Sequence, residues 1–197
     1  MIKLRNIMSE NSIFVPRRSR EERAKSWKAA IYKQIQAYIR NGSRDDLDLS
    51  NSPIERLPDN LKRIGGNLWL FNTQITSLPD DLRVGGGLYL YNTPITSLPN
   101  NLHVGGSLTL SYTKITSLPN NLHVGGYLDL RHTPITSLPN NLRVDGSLYL
   151  ENTQITSLSD NLHVGGSLWL RNTPVSRKYT EEQIRAMLPG VKRSIYK

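Results

Sequence analysis

GGSLTLSYTKITSLPNNLHV, residues 105–124, is one twenty-residue unit that the chain repeats from Gly65 to Val175. Its second leucine recurs at Leu70, Leu90, Leu110, Leu130, Leu150 and Leu170, and an earlier, less regular copy carries Leu47 and Leu49 one residue out of phase. A fixed period this short marks a solenoid, in which each unit is too small to bury its own apolar face and does so against its neighbours. Seven turns are expected, so the chain reads as one elongated α/β repeat body.

Working inward from that period, each unit has an assignable geometry. Leu88 and Leu90 alternate with Tyr89 and Tyr91 as a short strand whose leucines face inward. Ile95, Leu98, Leu102 and Val104 turn the remaining sides of the coil inward, and Pro99 prevents a regular helix after Leu98. The pair Gly85-Gly86 is expected to form a turn with positive φ, and Asp145, in place of one such glycine, to tolerate the same left-handed region. Ser159 replaces a proline and should weaken its turn only modestly.

Outside the repeats the chain divides into 1–18, a mobile basic tail; 19–44, an N-terminal capping helix; 45–176, the repeats; and 177–197, a C-terminal cap with a basic tail. Ser19 and Glu22 form a capping box. Trp27, Ile31, Ile35, Tyr38 and Ile39 then give one apolar stripe, which Asn41-Gly42 ends. Such a helix would cover the open end of the first turn. Thr180 with Gln183 is a second capping box, followed by Ile184, Met187 and Leu188 and stopped by Pro189-Gly190.

The 197 residues contain no cysteine, which excludes disulfides, thiolate metal sites and a cysteine nucleophile. No apolar run follows Lys3 and Arg5 to make a secretion signal, and no stretch approaches the roughly 20 apolar residues of a membrane span. A cytoplasmic protein is expected, with delivery into a host cell as the alternative. The net charge of +9 is uneven: 11 Lys/Arg against 3 Asp/Glu in residues 1–44, 7 against 11 in 45–170, and 7 against 2 in 171–197. The ends are basic and the body slightly acidic, which argues against a phosphate-tracking groove along the solenoid.

The unit LxLxxTxITSLPxNLxVGG resembles the short leucine-rich repeat (LRR) of bacterial and phage-encoded proteins. With the helix 20–40 and the segment LDLSNSPIERLPDNL, it is similar to the LRR part of bacterial type III effectors. The resemblance covers roughly residues 19–176 and implies a horseshoe with a parallel concave sheet of about seven strands. Some of those effectors carry a ubiquitin-ligase domain with a catalytic cysteine; this chain has no cysteine, and that activity is not carried over. Thr73, Thr93, Thr113, Thr133, Thr153 and Thr173 stand where most such repeats place asparagine, and their hydroxyls are expected to bond backbone between turns.

Function is sought where the units differ from one another. The middle outward strand position reads Asp48, Trp69, Tyr89, Thr109, Asp129, Tyr149, Trp169, and the next reads Ser50, Phe71, Tyr91, Ser111, Arg131, Glu151, Arg171; Tyr127 stands out in the preceding column. A concave face bearing Trp69, Phe71, Tyr89, Tyr91, Tyr127, Asp129, Arg131, Tyr149, Glu151, Trp169 and Arg171 is therefore the candidate partner-binding surface, because Tyr, Trp and Arg dominate interface hot spots. The competing account is that aromatic residues favour strands and stack between turns. On the convex side Lys62, Arg83, His103, His123, Arg143 and His163 are read as one solvated column without a carboxylate, and Asp45, Asp46 and Asp48 as an acidic rim. Calcium β-rolls need a nine-residue period with aspartate, so the Gly-Gly pairs do not indicate calcium. No catalytic set, metal site, cofactor or small-molecule substrate is indicated. The expected role is a monomeric, non-catalytic, protein-binding inhibitor or adaptor. One alternative is a nucleic-acid-associated protein using Arg17, Arg18, Arg20, Lys192 and Arg193 as phosphate contacts, and another is a self-assembling structural module.

Overall fold

The computed structural model describes residues 19–197; the expected mobile tail 1–18, with Arg17 and Arg18, and the side chain of Arg20 lie outside the described residues. Helix α1 (Arg20–Arg40) opens the fold and is capped reciprocally: Glu22 N–H donates to Ser19 Oγ at 3.1 Å and Ser19 N–H to Glu22 Oε2 at 2.8 Å. Ile31, Ile35 and Tyr38 bury its inner face, but Trp27, at one end of the expected stripe, remains 45% exposed. The Tyr38 hydroxyl donates to Asp45 O at 2.6 Å, tying the helix to the first turn, and burial pushes its pKa up to about 12.

Thirteen two-residue strands follow in alternation. Odd-numbered strands are β1 (Leu47–Asp48), β3 (Leu68–Trp69), β5 (Leu88–Tyr89), β7 (Leu108–Thr109), β9 (Leu128–Asp129), β11 (Leu148–Tyr149) and β13 (Leu168–Trp169). Even-numbered strands are β2 (Arg63–Ile64), β4 (Arg83–Val84), β6 (His103–Val104), β8 (His123–Val124), β10 (Arg143–Val144) and β12 (His163–Val164). All pairings are parallel, and they form two sheets on different sides of the coil. Between them the leucines, isoleucines and valines of every turn form one continuous core, most of them fully buried. The period of 20 is the register itself: Leu108 pairs with Leu88 and with Leu128.

The concave sheet has eight strands rather than seven. After α2 (Pro174–Lys178) and α3 (Glu181–Met187), the segment expected to be a basic tail returns as β14 (Ile195–Tyr196) and pairs in parallel with β13. Ile184, Leu188, Val191 and Ile195 close the C-terminal end of the core, whereas Met187 of the expected stripe is 36% exposed. This apolar anchoring outweighs the basic character of the segment, whose charges stay in water.

Three local expectations are corrected. Among the described residues Gly42, at φ 84°, is the one glycine with positive φ; the left-handed corner shared by the coils falls instead on Asn51, Asn72, Asn92, Tyr112, His132, Asn152 and Asn172, with a second one at Asp81, Asn121 and Asn141. The Gly-Gly pairs are needed because successive turns nearly touch there, and Asp145 is likewise not left-handed. Secondly, the first turn is one residue longer, so Arg63, not Lys62, pairs with Arg83 and heads the convex column; Lys62 Nζ reaches Asp80 O at 2.8 Å. Thirdly, the threonine hydroxyls bond within their own turn: Thr113 Oγ1 donates to Leu110 O at 2.6 Å, as Thr73 does to Leu70 O. The expected inter-turn network exists one residue earlier, where Asn92 Nδ2 donates to Asn72 Oδ1 at 2.8 Å and Asn72 Nδ2 to Asn51 Oδ1 at 2.9 Å. Ser159 keeps its turn, since Leu162 N–H donates to its carbonyl at 2.9 Å, much as Leu102 N–H donates to Pro99 O at 3.2 Å.

The threonine geometry sets a modest expectation. Leu110 O also accepts from Thr113 N–H at 3.2 Å, so removing the hydroxyl leaves no orphaned carbonyl. Thr113→Val should cost about 1 kcal/mol, lowering Tm by roughly 2–4 °C in thermal circular dichroism. An unchanged Tm would show that the hydroxyl adds nothing to the turn.

Candidate functional site

The concave sheet presents outward the side chains that alternate with the buried leucines, and parallel register stacks equivalent positions one turn apart. In the middle column Trp69 and Tyr89 lie nearly parallel, with ring centroids 5.9 Å apart at 10°. Tyr149 and Trp169 repeat this at 5.9 Å and 19°, and Trp169 continues onto Tyr196 at 3.9 Å and 19°. Thr109 and Asp129, both buried, separate the two aromatic tracts. In the next column Phe71 and Tyr91 pair at 5.8 Å, and Tyr127 meets Tyr149 edge-on at 6.0 Å. Such pairs contribute roughly 0.5–1.5 kcal/mol beyond burial, so stacking does stabilise the sheet.

Stacking does not exhaust these rings. Trp69, Phe71, Tyr89, Tyr149 and Trp169 are half-buried, and Tyr91, Tyr127 and Tyr196 are exposed. The charged members divide more sharply. Asp129 is 4% exposed and fully engaged by Arg131, whose Nε donates to Oδ1 at 2.9 Å and Nη2 to Oδ2 at 2.7 Å. The aspartate is thus internal to the face rather than presented from it, and it aims the exposed Arg131, whose guanidinium carbon lies 5.4 Å from the Tyr149 ring centroid. Asp129 raises the pKa of Arg131 further, so the guanidinium stays charged. Burial pushes the Tyr127 hydroxyl up. Glu151 is half-buried with Oε2 enclosed and unpartnered by protein, while Arg171 is exposed.

Three residues absent from the expected set now join it. Tyr196 extends the middle column, and its signal was legible: Ser194-Ile195-Tyr196 repeats the pattern of Ser167-Leu168-Trp169. Tyr112 and His132 interrupt the asparagine column on the ridge beside the concave sheet and stack on each other at 4.4 Å and 13°. Tyr112 has φ 58° and is 56% exposed. A bulky residue in the left-handed region costs roughly 1–2 kcal/mol, which its limited burial does little to offset.

The remaining candidates lie outside the aromatic tracts, although Asp48 stands in the middle column directly beside Trp69. The convex column itself holds no carboxylate, but Asp145 reaches it from the neighbouring glycine position: Oδ2 lies 2.8 Å from His123 Nε2, and Oδ1 accepts from Arg143 Nη2 at 2.9 Å. The His123 contact, with Arg143 beside it, lowers the Asp145 pKa. Among the described residues no three His, Asp or Glu side chains converge as a metal site would require. Asp46 and Asp48 serve the local backbone, accepting from Asn67 N–H at 2.7 Å and Ser50 N–H at 3.0 Å. Lys192 and Arg193 are exposed between Val191, which bridges to Val164, and β14, and Arg20 opens α1. No described helix is long and apolar enough to cross a membrane.

No family model matches the chain, and no curated protein does. Among solved structures the fold is similar to a Shigella effector LRR domain, at 19% identity over 89% of this chain and 93% of that one, with a TM-score of 0.53. An LRR protein of Leptospira interrogans is similar at 22% identity over 77% of this chain and 54% of that one, with a TM-score of 0.35. The Shigella likeness agrees with the coil geometry: the fold is a leucine-rich-repeat solenoid with helical caps.

Proposed function

We propose that the chain is a non-catalytic protein-interaction module that binds a protein partner through its concave aromatic face and acts as an inhibitor or adaptor. The observation that carries this reading is the pair of half-exposed aromatic tracts, Trp69–Tyr89 and Tyr149–Trp169–Tyr196, flanked by the exposed arginines Arg131 and Arg171. Solenoid curvature gives such columns an extended concave surface, and Trp, Tyr and Arg are the side chains from which interface hot spots are built. Effector is the word the Shigella domain carries. In our reading a host protein is accordingly the first partner to test, and delivery into a host cell the corresponding setting.

The test is capture from nuclease-treated bacterial and host lysates by the wild type and by Trp69→Ala/Tyr89→Ala/Tyr149→Ala/Trp169→Ala, once circular dichroism shows the variant folded. A protein retained by the wild type is then purified and titrated directly. A single hot-spot truncation costs about 2 kcal/mol or more, so the fourfold variant should bind at least about thirtyfold more weakly. Equal binding by both would remove the concave face from consideration.

A second reading rests on the exposed Arg177, Lys178, Lys192, Arg193 and Lys197 of the C-terminal region. If these contact phosphate, nucleic-acid binding should weaken steeply with salt. An aromatic protein interface should change little.

A further inference from the structure

We propose that the ridge bordering the concave sheet carries a subsite for a neutral sugar ring, stacked on Tyr112 and hydrogen-bonded by neighbouring amides. Comparison within the chain leads to this position. Five turns place asparagine in the left-handed corner, at Asn51, Asn72, Asn92, Asn152 and Asn172, and their amides link turn to turn. Two adjacent turns substitute Tyr112 and His132. The substitution breaks the network: among the described residues no donor reaches Asn92 Oδ1, whereas Asn152 Nδ2 still meets His132 Nε2 at 3.2 Å. A tyrosine that strains the backbone, interrupts a hydrogen-bonded column and remains 56% exposed is not accounted for by stability.

The surroundings specify what the ring would hold. His132 backs one face of Tyr112 at 4.4 Å. Tyr112 also lines an open cleft of about 320 Å³, with Asn72, Gln74, Asn92, Pro94 and Lys114, to which His132 does not contribute. That volume is at the low end of the roughly 300–1,000 Å³ of small-molecule sites. The lining combines one aromatic wall with three carboxamides and a single cation; Asn92 Oδ1 has no donor among the described residues, while Asn72 is engaged at both atoms by its neighbours in the column. A pyranose has the matching form, with an apolar C–H face to stack and hydroxyls around its rim that both donate and accept. A nucleotide chain fits less well, since phosphates call for several cations, and a peptide carboxylate would find only Lys114.

The subsite is independent of the protein-binding reading and is tested without the four concave-face rings. ¹⁵N-labelled protein is titrated into the millimolar range with the methyl pyranosides of glucose, galactose, mannose and N-acetylglucosamine, and with uridine and adenosine monophosphate. At least one glycoside should give saturable shifts at the amides of Asn92, Tyr112 and Lys114. Tyr112→Asn restores the column found in five other turns, so it should fold with an unchanged or higher Tm and bind at least about tenfold more weakly. Tyr112→Phe, which keeps the ring, should bind like the wild type. Absence of shifts with every glycoside, shifts with the nucleotide or nucleoside alone, undiminished binding by Tyr112→Asn, or a clear fall in its Tm would each overturn the assignment.

Discussion

Gly106→Val should lower Tm by roughly 6–12 °C and broaden the thermal transition, the largest effect expected of any single surface-adjacent substitution in the repeats. The reason is inter-turn contact rather than backbone conformation. A Cβ on Gly106 would lie 2.7 Å from Gly86 C and 2.8 Å from Gly87 N, against backbone that is fixed by the bond from Gly106 N–H to Gly86 O at 2.8 Å. No flexible side chain can move aside. The column holds glycine at Gly66, Gly86, Gly106, Gly126, Gly146 and Gly166, and another residue, Asp45, only in the first turn, which has no turn before it to touch. Overpacking costs about 1–3 kcal/mol where side chains can adjust, and here the backbone itself must move, so about 3 kcal/mol or more is expected. Gly105→Asp is the informative control. A Cβ there would approach Gly85 O even more closely, at 2.3 Å, yet Asp145 occupies the same column, so the backbone carbonyl yields at that position and the cost should be distinctly smaller. Gly106→Val melting with the wild type would show that the turns are not in contact as described.

Glycine is also where sequence reasoning and structure part most clearly. A Gly-Gly pair between apolar segments signals either a left-handed turn or a close approach, and only the stacking of turns tells them apart. The left-handed corner lay instead in the asparagines, whose tolerance of that region is a property of the side chain. The period of 20, the inward leucines, both capping boxes and the outward aromatic columns were legible because each depends on spacing within one unit. What escaped depends on relations between distant segments. The extra residue in the first turn shifted Lys62 for Arg63, Asp145 reached across to His123, and the C-terminal residues read as a tail although Ser194-Ile195-Tyr196 had the pattern of a strand. At the candidate site, Trp69, Tyr89, Tyr149 and Trp169 could be placed from spacing alone. The burial of Asp129 could not, because it follows from Arg131 folding back over it.

Ile195→Asp should detach β14 and leave the remaining turns folded. Ile195 is 3% exposed, and the strand is held by few other contacts: Leu168 N–H donates to Ser194 O at 2.9 Å, Leu170 N–H to Tyr196 O at 2.6 Å, and Tyr196 stacks on Trp169. Losing a buried isoleucine removes about 1.5–3 kcal/mol, and enclosing a carboxylate there adds a desolvation cost. Two backbone hydrogen bonds at about 0.5–1.5 kcal/mol each do not offset that sum. A solenoid couples mainly neighbouring turns, so the damage should stay at the C-terminal end. Hydrogen exchange gives a direct readout. The amides of Leu168 and Leu170 should exchange roughly a hundredfold faster, equivalent to about 3 kcal/mol, while those of Leu128 and Leu130, bonded to Ser147 O and Tyr149 O, keep their protection. Uniform acceleration along the chain would mean that the array unfolds as one unit and that β14 is integral to it. Local release, by contrast, would expose the far face of Trp169 and shorten the second aromatic tract from three rings to two. Partner affinity would then fall without any change to Trp69 or Tyr89, separating the contribution of the C-terminal tract from that of the first.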